Sequence, residues 1–210
     1  MKIVCPTITA ENSHTYREQV ERVCTFARHL HLDLMDGEFS TNKSIEPEKL
    51  WLPDNITCDV HAMYDDPGSI LNEVSKLSVR TFIVPAESEV DFAVLSRQVR
   101  EHNMNFGVAL LSGTTVQSAR QAIEQANHVL IFSGNLGHQG GSRADLSLLQ
   151  KVSEIKDIKS DIEIGWDGGL NLENIGEIAQ SAVSVFNIGG FIQFAQNPSD
   201  AYQSLVLAVS

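Results

Sequence analysis

Short apolar, β-branched runs recur along the chain, separated by stretches whose apolar residues return at helical spacing. Candidate strands are Lys2–Pro6, Leu30–Met35, Thr57–Met63, Arg80–Val84, Asn105–Leu110, His128–Phe132, Asp161–Trp166 and Ser184–Ile188. Most are apolar on both alternating faces, as expected of parallel strands covered by helices outside and packed against other strands inside. Between them the pattern predicts helices at Ser13–Arg28, Pro67–Ser75, Val90–Glu101, Thr115–Gln125, Ser147–Ile158, Asn174–Gln180 and Pro198–Val209, with a shorter segment at Ile45–Leu52. An open doubly wound sheet has the same alternation. Eight strand signals, mostly about 20–30 residues apart, favour a closed (β/α)₈ TIM barrel of the α/β class. No linker, low-complexity tract or charge block divides residues 1–210, so we expect one barrel domain with short loops.

Against this apolar background the segment His29-Leu30-His31-Leu32-Asp33-Leu34-Met35-Asp36-Gly37 stands out. Alternation places His31 and Asp33 on one face of the second strand. In a barrel that face can point inward near the C-terminal mouth, where active sites lie. A charge there is costly to bury unless it is paired or coordinated. Asp59-Val60-His61 on the third strand and Trp166-Asp167-Gly168-Gly169 at the end of the seventh repeat the pattern. Each residue alone has an ordinary explanation, as a hydrogen-bonded core histidine or a turn-forming aspartate. Together, His31, Asp33, His61 and Asp167 offer the N/O donor set of a divalent ion such as Zn, Mn, Fe or Co. Asp59, His29 and Asp36 are weaker candidates, with supporting or helix-facing roles, and Asp36 beside Gly37 fits loop orientation.

Glycines follow the late strands: Gly134 to Gly141 after the sixth, Gly168-Gly169 after the seventh and Gly189-Gly190 after the eighth. Consecutive backbone N–H groups near a helix N-terminus hold phosphate without a basic side chain, and barrels often place such a site after strands seven and eight. Glycine pairs are also common turn formers. Beside Asp167 they become a candidate phosphate cradle.

Composition narrows the classes. The chain is 42% hydrophobic and 20% charged, and its 27 acidic against 15 basic residues give a formal charge of -12. With no Lys/Arg cluster, nucleic acid is not an expected partner. No apolar run reaches the roughly 18 residues needed to span a bilayer. The opening Met1-Lys2-Ile3-Val4-Cys5-Pro6 contains no long apolar signal region. Three widely spaced cysteines, Cys5, Cys24 and Cys58, suit free thiols in a reducing cytoplasm.

At these residues the sequence resembles the ribulose-phosphate 3-epimerase family. The likeness runs through Pro6-Thr7-Ile8, His31-Leu32-Asp33-Leu34-Met35-Asp36-Gly37 with Phe39 and Asn42, and Asp59-Val60-His61-Ala62-Met63. It continues through Gly107-Val108-Ala109-Leu110 with Gly113-Thr114, then Asp167-Gly168-Gly169 and Asn197-Pro198. The resemblance implies one divalent metal ion per subunit on His31, Asp33, His61 and Asp167, with Asp33 and Asp167 also the catalytic acid/base pair. It implies substrate contacts from Thr7, Met35 and Met63, phosphate contacts from Gly140, Gly141, Gly168, Gly169, Gly189 and Gly190, and a homo-oligomer. The expected reaction is C3 epimerisation of a small phosphorylated ketose, D-ribulose 5-phosphate to D-xylulose 5-phosphate.

Departures fall on the edge that grips the substrate. Pro85 stands where the family's Phe-His-x-Glu has histidine, so only Glu87 of that pair remains. The loop Asn135-Leu136-Gly137-His138-Gln139-Gly140-Gly141 replaces Asn-Pro-Gly-Phe-Gly-Gly-Gln, and Gly189-Gly190 replaces Gly-Ser. These changes leave room for another ketose phosphate as substrate, or for a sugar-phosphate binding protein without catalysis. Met35 in place of the lysine of an Asp-x-Lys pair argues against a sugar-acid phosphate decarboxylase.

Overall fold

The computed structural model describes residues 2–210. Eight parallel strands close in sequence order into one barrel: β1 (Ile3–Thr9), β2 (His29–Met35), β3 (Thr57–Met63), β4 (Val79–Pro85), β5 (Asn105–Leu110), β6 (His128–Phe132), β7 (Glu163–Asp167) and β8 (Val185–Ile188). The outer layer holds α1 (Ser13–Val23), α2 (Leu71–Val74), α3 (Phe92–Glu101), α4 (Arg120–Gln125), α5 (Gln150–Ile158), α6 (Ile175–Ala179), α7 (Gly190–Gln193) and α8 (Pro198–Val209). Outward strand residues such as Leu30, Leu32 and Leu34 share a core with helix residues such as Tyr16, Val20 and Val23. Their alternates therefore face the barrel axis.

Local chemistry sets several helix starts. The Asn12 side chain accepts from the backbone N–H groups of His14 and Thr15, and Asp91 does the same for Ala93 and Val94, satisfying amides that a first turn leaves open. Pro198 occupies the first turn of α8, where its missing N–H costs nothing.

Several expected boundaries move. The strand expected at Lys2–Pro6 runs on to Thr9, which brings Thr7 and Thr9 into the barrel wall beside His31 and Asp33. The helix expected to reach Arg28 ends at Val23, and a further turn buries Ala27 before β2 begins. Ile45–Leu52 holds only a 3₁₀ turn at Pro47–Lys49. That crossing is secured instead by Trp51, whose carbonyl accepts from the Tyr16 hydroxyl (2.8 Å) and whose ring meets Tyr16 edge-on. The helices expected at Pro67–Ser75 and Thr115–Gln125 shorten to α2, preceded by a 3₁₀ turn, and to α4. The short α7 begins at Gly190, the second of the glycines after β8.

The N-terminal end of the barrel is closed by ions. Arg80 donates to both oxygens of Asp59, from Nε (2.9 Å) and Nη2 (2.6 Å), and from Nη1 to Glu163 (2.9 Å). Asp59 also accepts from His29 Nε2 (2.9 Å), while Glu163 pairs with His128 Nδ1 (2.7 Å). His29 and Asp59 thus point into the barrel, correcting the helix-facing option and leaving a supporting role. Breaking one member of such a network strands its partner in low dielectric. Above the ions sits a small apolar layer of Ile83, Ala109 and Leu130.

Burial opposes ionisation of Glu163, but hydrogen bonds from His128 and Arg80 outweigh it and bring its pKa from 4.5 to about 2. A carboxyl depressed on folding stabilises fully above its unfolded pKa and loses that contribution as pH falls through the folded value. The melting-temperature gap between wild type and Glu163→Gln, followed by circular dichroism, should be constant at neutral pH and narrow from about pH 4.5 towards pH 2. A gap independent of pH would remove Glu163 as an acid-sensitive tie.

Candidate metal centre

At the opposite end of the same strands, the inward alternates of β2 are His31, Asp33 and Met35, and those of β3 are His61 and Met63. Register sets Asp33 beside His61 and Met35 beside Met63. Asp167 is the last residue of β7 and is paired with Asn187 on β8. His31 Nε2 lies 3.3 Å from Asp33 Oδ1 and 3.5 Å from Asp167 Oδ2, and His61 Nδ1 lies 3.5 Å from Asp33 Oδ1. One donor atom from each of the four residues falls within 4.8 Å of all the others.

These donors are enclosed, and the protein does not satisfy them. Both ring nitrogens of His31 and of His61, Asp33 Oδ1 and Asp167 Oδ2 are buried without a hydrogen-bond partner among the described residues. Buried polar groups are otherwise nearly always paired. Two imidazoles and two carboxylate oxygens converging without partners fit a divalent cation, whose charge offsets two buried carboxylates. Asp33 is oriented by its other oxygen, Oδ2, which accepts from the Thr9 hydroxyl at 2.8 Å.

The two aspartates differ in their protonation. Burial disfavours the Asp33 carboxylate, yet the imidazoles of His31 and His61, 3.3 and 3.5 Å from its Oδ1, outweigh it and hold the group well below the usual carboxylate range. Asp167 is pushed up to about 7 by burial and by the neighbouring Asp33 charge. Burial alone would lower both imidazoles. It prevails at His61, whereas Asp33 and Asp167 raise His31.

Above the cluster opens a cavity of about 230 Å³, lined by Thr7, Asp33, Met35, Met63 and Asp167, with His31 and His61 beneath it. Gly140, Gly141, Gly168, Gly169, Gly189 and Gly190, from the loops after the late strands, line it as well. The residues expected from sequence are therefore gathered at one mouth. Gly168 and Gly169 also have a packing reason. Both have positive φ, and a Cβ would fall 2.2 Å from Gly134 N at Gly168 and 2.0 Å from Ala144 N at Gly169. The loop after β6 is tied across the mouth: Gln139 Nε2 donates to the Thr7 carbonyl (2.9 Å), and Asn42 Nδ2 donates to the Gly137 carbonyl (2.6 Å). Asp36 orients the β2 loop by accepting from the amides of Glu38, Phe39 and Asp65. Glu87 accepts from the Leu111 amide and the Thr114 hydroxyl and does not line the cavity.

Thr9, Gln139 and Asn187 are the site residues that sequence reading did not single out. Thr9 lies two positions after Thr7 on the same face, a signal hidden when the strand is ended at Pro6. Asn187 is the one polar residue in Val185-Phe186-Asn187-Ile188.

Comparison with known proteins agrees with this geometry. A model of the ribulose-phosphate 3 epimerase family matches residues 3–193. The chain is 27% identical over 199 residues to the ribulose-phosphate 3-epimerase of Helicobacter pylori, covering 91% of this chain and 90% of that protein. It is 33% identical over 165 residues to that of Encephalitozoon cuniculi, covering 77% and 74%. Among solved structures, a 3-hexulose-6-phosphate synthase aligns over 100% of both chains with a TM-score of 0.76 at 16% identity, a likeness of fold. With the family match spanning nearly the whole barrel and the His₂Asp₂ cluster seated at its mouth, the chain belongs to the ribulose-phosphate 3-epimerase family and is an epimerase-like enzyme.

Proposed function

We propose that this protein interconverts D-ribulose 5-phosphate and D-xylulose 5-phosphate by inverting C3. The observation that carries this reading is the meeting of Asp33 and Asp167 in one donor cluster, one held ionised and the other near neutrality in its pKa. Inversion by proton transfer needs a base on one side of the carbon and an acid on the other.

The C3–H bond of such a ketose is acidified by the C2 carbonyl, and its conjugate base is an enediolate. A divalent ion held by His31, Asp33, His61 and Asp167 supplies Lewis-acid polarisation and stabilises developing negative charge. Asp33 takes the C3 proton through its carboxylate, held in place by the Thr9 hydroxyl. Asp167 takes up a proton from solvent on its other carboxylate oxygen once the sugar is bound and delivers it to the opposite face, so the centre inverts and the two carboxyl groups exchange states. The reverse reaction, or exchange with solvent, restores them. Met35 and Met63 present apolar surface beside the reacting carbon, and the Thr7 hydroxyl meets the sugar. The backbone N–H groups of the glycines in the loops after the late strands receive the phosphate.

One observation favours a second reading, in which another ketose phosphate is the substrate. The Gln139 side chain is tied between Thr7 and Gln19 on the substrate-gripping edge, and Gly190 provides no hydroxyl there.

Metal-loaded protein given D-ribulose 5-phosphate in deuterated water should form D-xylulose 5-phosphate carrying deuterium at C3, followed by NMR. Asp33→Asn and Asp167→Asn should each lower kcat by about 10²–10⁴-fold. No exchange and no epimer would exclude this sugar, and a panel of other ketose phosphates then decides the second reading.

The ion requires Asp167 as a carboxylate, so binding near or below pH 7 releases its proton. Affinity for Co²⁺ should therefore fall about tenfold per pH unit below about 7. Calorimetry at pH 6 in buffers of different ionisation enthalpy should register the proton. An affinity unchanged between pH 6 and 8 would contradict the assignment of Asp167 as a ligand.

A further inference from the structure

The unpartnered atoms at the floor of the mouth extend beyond the four metal-competent residues. Asn187 on β8 is 1% exposed, and both its amide nitrogen and its amide oxygen lack a hydrogen-bond partner among the described residues. It lines the same cavity as Asp33 and Asp167, and its strand neighbours in register are Asp167 on β7 and Cys5 on β1. The Thr7 hydroxyl, two residues beyond Cys5 on the same inward face, is also buried and unpartnered. Thr7 in turn is in register with His31. Unpartnered donors and acceptors thus recur on the neighbouring strands β7, β8, β1 and β2, at Asp167, Asn187, Thr7, His31 and Asp33.

A buried carboxamide with neither end bonded has lost its water partners without replacing them, which destabilises the fold. An apolar residue would remove that cost, and every other residue of β8 is apolar. The cost is recovered when a ligand offers an acceptor to Nδ2 and a donor to Oδ1. One hydroxyl does both, because it donates one hydrogen and accepts through its lone pairs. Asn187 lies inside β8 in register with Asp167, whereas the glycines follow the strand ends, so the amide is set beside the metal-competent residues and not among the loop N–H groups.

We infer that Asn187 is a specificity-determining residue that binds a sugar hydroxyl of the ketose phosphate through both ends of its carboxamide, beside Asp167. This rests on the sugar-phosphate reading above and deepens it. A site that hydrogen-bonds a substrate hydroxyl discriminates against analogues without it, since its own polar atoms are then left unpaired.

The test is Asn187→Leu, which keeps the approximate size and removes both polar ends, with Asn187→Asp as a second variant that keeps the acceptor and loses the amide donor. Each is loaded with Co²⁺, and binding of D-ribulose 5-phosphate and of inorganic phosphate is measured by calorimetry alongside thermal melts. In Asn187→Leu, affinity for the ketose phosphate should fall by about tenfold or more. Affinity for inorganic phosphate should stay within about twofold and the melting temperature should hold or rise, because an unbonded amide stabilises nothing. Asn187→Asp should also bind the ketose phosphate more weakly than wild type. Unchanged ketose-phosphate affinity in Asn187→Leu, or a lower melting temperature with unchanged affinity, would overturn the inference and assign the amide to internal structure or a buried water. The two proposals fail separately. Wild type that binds the sugar without C3 exchange removes the proposed reaction and leaves Asn187 standing, whereas wild type that epimerises equally well with leucine at this position removes only the role of Asn187.

Discussion

Two carboxylates and two imidazoles, with one donor atom from each within 4.8 Å of the rest and buried atoms that lack hydrogen-bond partners among the described residues, form the constraint around which this barrel is arranged. Such a cluster is unfavourable by itself, because like charges meet in low dielectric and each buried donor or acceptor has left water. It persists only if the strands that carry it are held from elsewhere. The ionic closure at the N-terminal end does this on the same strands. His29 lies on β2 with His31 and Asp33, Asp59 on β3 with His61, and Glu163 on β7 with Asp167. Arg80 on β4 and His128 on β6 join them. The ion-paired network fixes one end of each strand so that the unpaired cluster can stand at the other.

The mouth divides into two kinds of surface. Towards the metal end it is made of strand side chains whose positions follow from register, with Thr9 holding Asp33 and Asn187 beside Asp167. In the loops after the late strands it is made of backbone, and here sequence and packing interact. Gly168 and Gly169 leave no room for a Cβ against the loop after β6, so the residues proposed to present N–H groups to phosphate are also those that let that loop approach. Replacing either glycine would shift the loop and the anion cradle together. Gln139 fastens the same loop to β1, which couples the cradle to the strand that carries Thr7 and Thr9.

Much of this was legible from period-two alternation. His31, Asp33 and His61 were readable because charged or titratable side chains recur at alternate positions in otherwise apolar strands, and Asp167 because it ends such a strand before two glycines. Alternation already sets His29 on the face of His31 and Asp59 on the face of His61, so the helix-facing option misread the period; what alternation does not give is depth, which separates the N-terminal ion pairs from the mouth. Helix ends were the least legible. Apolar spacing continues past Val23, while the chain must turn there to enter β2, a demand of tertiary closure absent from local propensity. Asn187 was overlooked because a single asparagine in a short apolar strand is uninformative until its neighbours show that neither end of the amide is bonded.

The electrostatics of the whole chain sharpen what the mouth has to accomplish. At a formal charge of -12, the protein repels an anionic sugar phosphate at long range, so attraction must be local. A divalent ion on Asp33 and Asp167 would neutralise their charges at the floor, and the glycine N–H groups proposed to receive phosphate would add partial positive charge from the loops. Neither device distinguishes one ketose phosphate from another, since any of them offers a phosphate and a carbonyl. Discrimination therefore falls to neutral polar groups between the two ends. Thr7 and Asn187 are the buried, cavity-lining neutral side chains whose hydrogen-bonding atoms are unpartnered among the described residues. On the proposed reading, in which the ion and the phosphate cradle serve every member of the substrate class, selectivity is set by these uncharged contacts.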